Sequence, residues 1–202
     1  MMKESVRLLI VDDDPDFLYL IQRQLKKDSR FEIVGCCQEQ NTAVAMACRC
    51  QPDLVLMDLD LGRSFSDGIQ ASREIRILTD ARVLILTAIE SQEVILKASR
   101  EAFASGYVFK GQPALLEETI LALCGGKHTA QEYLIVSTAL SCLSEAEMAV
   151  FRNLLGQGVH LQSSPKTIAN QTTRILQKLG LESKRDLIHV FGMLQEEKHG
   201  KA

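Results

Sequence analysis

The 202-residue sequence has no apolar run of the length a membrane-spanning helix requires. It has no internal repeat and no low-complexity tract. The opening residues Met1-Met2-Lys3-Glu4-Ser5 pass straight into a short strand-like segment. They lack the apolar region and small-residue cleavage site of a signal peptide, so the cytoplasm is the expected location. The six cysteines include no C-x-x-C pair. Cys36, Cys37, Cys48 and Cys50 are close in sequence, but their spacing matches no zinc pattern. Reduced thiols acting as small hydrophobes fit better.

What is present reads as ordinary globular protein: 46% hydrophobic and 24% charged residues, in a length that holds one large domain or two small ones. The net charge of −3 conceals an asymmetry. Residues 1–126 carry 14 Lys/Arg against 19 Asp/Glu, and residues 127–202 carry 9 against 7. Arg152, Lys166, Arg174, Lys178, Lys184 and Arg185 stand with only Glu182 among them. An acidic first part and a locally basic second part suggest two domains, with any polyanion meeting the second. An ordinary solvated helix face is the alternative, and charge alone favours it less.

Through residue 125 short apolar runs alternate with amphipathic segments. Strands are expected at Arg7–Val11, Phe31–Cys37, Leu54–Asp58, Arg82–Thr87 and Gly106–Lys110. Helices are expected at Pro15–Lys27, Asn41–Cys50, Gly68–Leu78, Gln92–Ala102 and Pro113–Cys124. In the first helix Phe17, Leu18, Ile21 and Leu25 share one face, Asp14 can cap it, and Pro15 takes the first helical position. Five strands, each followed by a helix, predict a parallel sheet covered on both faces. Gly125-Gly126 breaks the pattern. Residues 126–142 read as a linker, although Tyr133-Leu134-Ile135-Val136 is apolar enough to pack on something.

The rest reads as helices. Leu143-Ser144-Glu145-Ala146-Glu147 is a capping box, opening a helix that would bury Met148, Phe151, Leu154 and Leu155. A second helix starts at Ser164-Pro165 and ends at Leu179-Gly180; a third opens at Ser183, with Asp186 at the box position.

Four strands of the first part end in polar residues. These are Asp12-Asp13, Asp58, Thr87 and Lys110. In an open α/β sheet ligands bind outside the carboxyl ends of the strands. Three carboxylates gathered there repel one another unless a cation or raised pKa values relieve them. Oxygen ligands beside phosphate chemistry favour Mg²⁺. Taken singly, the acids read as loop caps and Lys110 as a surface charge. Five such residues at strand ends read as one site.

Their order resembles the receiver domain of two-component response regulators over residues 1–125. The resemblance implies a flavodoxin-like α/β fold with a five-stranded parallel sheet of order 2-1-3-4-5. It implies Asp58 as the phosphoacceptor, serving a sensor histidine kinase. Asp12, Asp13, Asp58 and the backbone carbonyl of Asp60 would hold Mg²⁺. Thr87 and Lys110 would bind the phosphoryl oxygens, and Tyr107 would be the aromatic switch that fills the space Thr87 leaves. Such a chain is no enzyme beyond Mg²⁺-dependent self-phosphorylation and dephosphorylation. Val55-Leu56-Met57-Asp58-Leu59-Asp60 also resembles the D-x-D motif of haloacid-dehalogenase-like phosphatases, but their acidic metal pair follows the lysine, and here Asp12-Asp13 precedes it.

Departures exist. The loop after Asp58 lacks the Met-Pro turn of many receivers and is about two residues longer by that measure. Lys110 is followed by Gly111 rather than proline. Asp60 adds an acid that would alter phosphoryl lifetime.

Residues 143–202 resemble the LuxR-type helix-turn-helix domain of NarL/FixJ regulators, a small all-α DNA-binding output domain. On its recognition helix Ile168, Ile175, Leu176 and Leu179 form the buried stripe. Lys166, Thr167, Asn170, Gln171, Arg174 and Lys178 would meet promoter DNA, Asn and Gln reading adenine edges and Arg or Lys gripping phosphates. Ala169 and Gln171 replace the Lys and His common in the family.

Between Gly158 and Pro165 only six residues remain, too few for the helix that should cross the DNA backbone. By the family pattern about seven residues are absent. Either that helix is deleted or the native protein has a stretch this sequence omits; the intact Leu161–Thr167 favours omission. The resemblance implies a homodimer on activation. The alternative is a signalling receiver whose tail serves dimerisation or partner binding, through Leu187, Val190, Phe191 and Leu194. Intact mass separates deletion from omission: a native protein heavier than 22.5 kDa by several residues is expected, and 22.5 kDa itself means a true deletion.

Overall fold

The computed structural model describes residues 5–62 and 64–199. The chain divides into two compact units, 1–135 and 136–202. The first unit holds strands β1 (Val6–Val11), β2 (Phe31–Cys37), β3 (Leu54–Met57), β4 (Arg82–Thr87) and β5 (Gly106–Phe109). They form one parallel sheet, as the alternation predicted, in the order β2-β1-β3-β4-β5 that the resemblance implied. Between them run α1 (Pro15–Leu25), α2 (Gln40–Cys50), α3 (Phe65–Leu78), α4 (Gln92–Glu101) and α5 (Pro113–Cys124).

Side chains of a strand alternate between faces, so each apolar run supplies two cores at once. Leu9, Val11, Val55, Met57, Val83 and Ile85 face α2, α3 and α4, against Ala47, Ile75 and Ala98. Leu8, Ile10, Leu56, Leu84 and Val108 face α1 and α5, against Ile21, Leu25, Ile120 and Leu123. Rigid walls on both sides hold the strand ends in register, and the polar residues just beyond them inherit that order.

The helix starts are locally encoded. The Asp14 carboxylate accepts from the Asp16 and Phe17 amides, with Pro15 opening α1. α3 begins at Phe65, three residues before the expected Gly68, because the Ser64 hydroxyl caps the Ser66 amide. The extra residues of the loop after Asp58 are therefore absorbed into helix. Gly68 then lies in the first turns of α3, where a Cβ would collide with the Asp58 carbonyl oxygen and stand 2.6 Å from Leu59 Cα. Only glycine lets α3 approach the backbone carrying Asp58 this closely.

The stretch expected as a linker contains a helix, α6 (Ala130–Leu140). Thr129 and Glu132 form a reciprocal cap at its start: the Glu132 carboxylate accepts from the Thr129 amide, and the Thr129 hydroxyl accepts from the Glu132 amide. The polar Gly-Gly-Lys-His approach masks this start in the sequence.

The second unit contains α7 (Glu145–Leu154), α8 (Pro165–Leu179), α9 (Lys184–Phe191) and a 3₁₀ helix (Gly192–His199). Both expected capping boxes form, at Ser144/Glu147 and Ser183/Asp186. Gly180 ends α8 in the left-handed conformation, φ +60°. Phe151 and Phe191 meet edge to face at 5.4 Å, with Val150, Leu155, Ile175 and Leu187 buried around them. Met148 and Leu154 are only half-buried, Val150 taking the inward position instead. No helix lies between Leu154 and Pro165. No helix among the described residues is long and apolar enough to cross a membrane.

Lys178 donates to the Glu147 carboxylate at 2.7 Å and to the Cys142 carbonyl at 3.0 Å, fastening α8 to the cap of α7. The Lys178 hydrogen bond, aided by the Ser144 amide, holds the Glu147 carboxyl at about 2 against an ordinary 4.5. A depressed carboxyl stabilises the fold above its unfolded pKa and ceases to do so as pH falls through the folded value. Lys178 is 40% exposed, so solvent screening leaves about 1 kcal/mol. Urea unfolding at pH 5 and pH 2.5 should therefore show Glu147→Gln losing about 1 kcal/mol less than the parent over that interval. Equal losses would mean that the pair contributes nothing.

Candidate functional site

The carboxyl ends of β1, β3, β4 and β5 bring the predicted residues into one place. The Asp12 amide donates to the Cys37 carbonyl and the Asp58 amide to the Val11 carbonyl, so the strand hydrogen bonding continues into both acids. The Lys110 amide donates to the Thr87 carbonyl and does the same for β4 and β5. Carboxylate oxygens of Asp12, Asp13 and Asp58 lie within 4.8 Å of one another. Asp12 and Asp58 are buried, while Asp13 is exposed.

Lys110 Nζ stands 2.6 Å from Asp12 Oδ2 and 2.6 Å from Asp58 Oδ2. Its remaining face lies over the Phe17 ring, 4.4 Å from the centroid, a cation–π contact with no signature in the sequence. Burial alone would lower the Lys110 pKa. Hydrogen bonds and charge from Asp12 and Asp58 outweigh it and hold the ammonium above its ordinary value. Burial pushes the Asp12 carboxyl up to about 6, against the Lys110 hydrogen bond and charge, with the Asp58 charge adding to the rise. The acids thus relieve their repulsion in both expected ways, a cation among them and a raised pKa.

Asp58 Oδ1 accepts from the Asp60 amide at 3.4 Å. In the same loop Leu59 and Leu61 are buried, whereas the Asp60 side chain is exposed. Arg63 lies outside the described residues. Gly62, at φ +80°, passes close to Asp13; a Cβ there would stand 3.2 Å from Asp13 Oδ2. Thr87 is fully buried, and its hydroxyl oxygen accepts from the Ile89 amide at 3.3 Å, which leaves the hydroxyl proton to donate.

Tyr107 packs its ring into the core cluster on the α2–α4 side of the sheet and meets Phe109 edge to face at 5.4 Å. Its phenolic oxygen is buried without a hydrogen-bond partner. Burial, then the Asp58 charge, raises the phenol to about 12, so it stays neutral.

Three clustered oxygen donors that include a buried acid suit a small divalent cation with oxygen ligands. Asp12, Asp13 and Asp58 form the one group of three or more candidate ligands gathered among the described residues; the cysteines of the 36–50 stretch form none. Cys37 is buried, and burial pushes its thiol to about 11, an inert state.

In the second unit Lys166, Thr167, Asn170 and Arg174 are exposed along α8, and Gln171 is half-buried. Lys178, expected on the same stripe, points its ammonium into the unit at Glu147. Thr172, absent from the expected buried stripe, is buried and bonds back to the Ile168 carbonyl at 2.8 Å. Back-bonding lets a hydroxyl occupy a core position, and nothing in the residue type announces it.

Comparison with known proteins places these features in a family. Residues 8–120 match the model of the response regulator receiver domain. The chain is 26% identical over 199 residues to a nitrate/nitrite response regulator protein homolog of Haemophilus influenzae, covering 91% of this chain and 94% of that protein. It is similar to a LuxR-family two-component response regulator from Aurantimonas sp. SI85-9A1, with 33% identity and TM-score 0.56 over 67% of this chain and 95% of that one. It shares its fold with RcsB from Salmonella enterica serovar Typhimurium bound to promoter P1flhDC in the presence of phosphomimetic BeF3−, at 22% identity and TM-score 0.54 over 94% of this chain and 99% of that one.

The raised Asp12 carboxyl sets a pH dependence. Below about 6 a proton occupies this ligand, so cation binding must displace it. Mg²⁺ titrations between pH 5 and 7.5 should show affinity falling as pH drops through 6, by up to about tenfold per pH unit. Asp12→Asn should bind weakly with little pH dependence in that range. A flat profile in the parent protein would contradict the assignment.

Proposed function

The chain belongs to the response regulator receiver family, and from that premise we propose that Asp58 accepts a phosphoryl group from a phosphohistidine on a sensor histidine kinase. The observation that carries the reading is the Lys110 ammonium bridging Asp12 and Asp58 at the strand ends. A carboxylate is a poor nucleophile toward an anionic phosphoryl group, and fixed positive charge supplies most of the catalysis. An Asp58 oxygen attacks phosphorus, and the P–O bond forms as the P–N bond to the donor imidazole breaks. The imidazole nitrogen keeps the electron pair and takes a proton from solvent. Lys110 neutralises charge on the phosphoryl oxygens, and the free proton of the Thr87 hydroxyl donates to one of them. Mg²⁺ held by Asp12, Asp13, Asp58 and the Asp60 carbonyl would neutralise further charge at the same oxygens. The new acyl phosphate draws Thr87 toward it, and Tyr107 occupies the space beside Thr87.

The output we propose is transcriptional, through a dimer whose second units contact paired half-sites of promoter DNA. Support comes from the likeness to LuxR-family regulators and from Lys166, Thr167, Asn170 and Arg174, all exposed on one helix. Asn170 and Gln171 suit adenine edges, and Lys166 and Arg174 suit phosphates. With Lys178 paired to Glu147, the stripe carries less free charge than its composition suggests.

A second reading is a receiver whose helical tail does not bind DNA, favoured by the absent helix between Leu154 and Pro165. One argument for it weakens: of the apolar face Leu187, Val190, Phe191 and Leu194, the first three are buried within their own unit and Leu194 is half-buried.

Incubation with a small acyl phosphate and Mg²⁺ should phosphorylate the parent chain and leave Asp58→Ala unmodified on a phosphoprotein gel. BeF3− should strengthen DNA binding in a gel shift, with affinity falling steeply as salt rises. Modification without any DNA affinity would select the second reading.

A further inference from the structure

The outer edge of β5 is occupied at Tyr107. The Gln131 side chain accepts from the Tyr107 amide through Oε1 at 3.2 Å and donates to the Tyr107 carbonyl through Nε2 at 3.1 Å. One side-chain amide thus satisfies both edge groups of a single residue, as a neighbouring strand would. Gly106 makes room for it: a Cβ there would stand 3.1 Å from Gln131 Oε1 and 3.0 Å from Leu84 Cδ1. The turn that carries Gln131 is anchored independently. Glu132 is buried, caps Thr129 and pairs with Arg82 at 3.7 Å at the start of β4. His128 lies 3.4 Å from the same carboxylate.

We propose that Gln131 is a positioning residue for Tyr107, holding its ring in the inward position against the core on the α2–α4 side of the sheet. β4 flanks Tyr107 on one side, so a ring leaving that position turns toward the outer edge. There it meets Gln131 and the first turn of α6. The inward ring leaves its hydroxyl without a partner, which opposes burial; the Gln131 contacts act by fixing the Tyr107 backbone from which the ring projects. By linkage, what favours the inward ring also favours phosphoryl binding, and loss of the contact weakens binding by the fraction of inward ring that it removes. The inference rests on the reading of Asp58 as acceptor and Tyr107 as the aromatic that follows it.

The test uses the full chain labelled with 3-fluorotyrosine, which reports at three tyrosines and no more. Tyr19→Phe and Tyr133→Phe assign the other two signals. Gln131→Met keeps length without hydrogen bonding. Gln131→Glu keeps size and helix propensity, accepts from the Tyr107 amide and repels its carbonyl. In the parent, the Tyr107 signal should show little solvent isotope shift. In both variants it should move toward the exposed value. BeF3− binding with Mg²⁺ should weaken in Gln131→Met, by up to about fivefold, the scale of one net hydrogen bond, and less in Gln131→Glu. If both variants bind BeF3− like the parent and keep Tyr107 shielded, the inference is wrong and the acceptor reading stands. If the parent binds no BeF3−, the acceptor reading fails and takes the inference with it.

Discussion

The ammonium of Lys110 between Asp12 and Asp58 is the contact on which the rest of the receiver unit turns. Two buried carboxylates at the ends of adjacent strands would push those ends apart without a cation between them. The lysine comes from the end of β5, on the far side of β4, so it ties the ends of β1, β3 and β5 to one point. The same placement defines the chemistry. A charge that quiets two acids before a phosphoryl group arrives is already where that group's oxygens will need it. Phe17 completes the arrangement, giving the third face of the ammonium an aromatic surface rather than bulk water.

Much of this was legible in the sequence, for identifiable reasons. Apolar runs ending in Asp, Thr or Lys are short-range signals, and a buried parallel sheet translates them directly into a row of strand ends. The caps at Asp14, Ser144 and Ser183 were legible because a hydroxyl or carboxylate next to a helix needs nothing beyond three residues. What escaped were contacts between residues far apart in the chain. Gly68 reads as a helix starter until its approach to Leu59 is seen. Lys178 reads as a phosphate contact until Glu147, 31 residues earlier, is found beneath it. Helix α6 was hidden by its composition: two glycines before it, then a polar first turn whose anchor, Arg82, lies in another strand.

The second unit shows how a short sequence element changes the meaning of its neighbours. Without a helix between α7 and α8, the two join through a stretch without regular structure, with left-handed glycines at 156 and 158 and the Asn153 side chain donating to the Val159 carbonyl at 3.0 Å. α8 then rests on α7 through Ile175, Leu179 and the Lys178–Glu147 pair. Leu187, Val190 and Phe191 of α9 close the same core, while Ile188 stays exposed. The unit is a packed body in its own right.

The anchoring of α6 bears on how the protein can be taken apart. By sequence pattern the receiver ends at Gly125, and a fragment cut there would seem complete. It would lack Gln131 and so bare the β5 edge at Tyr107, an unpaired strand margin able to recruit another chain by edge-to-edge pairing. Self-association of such a fragment would be a consequence of the cut, not a property of the regulator. The natural end of this folding unit lies one helical turn beyond Gln131.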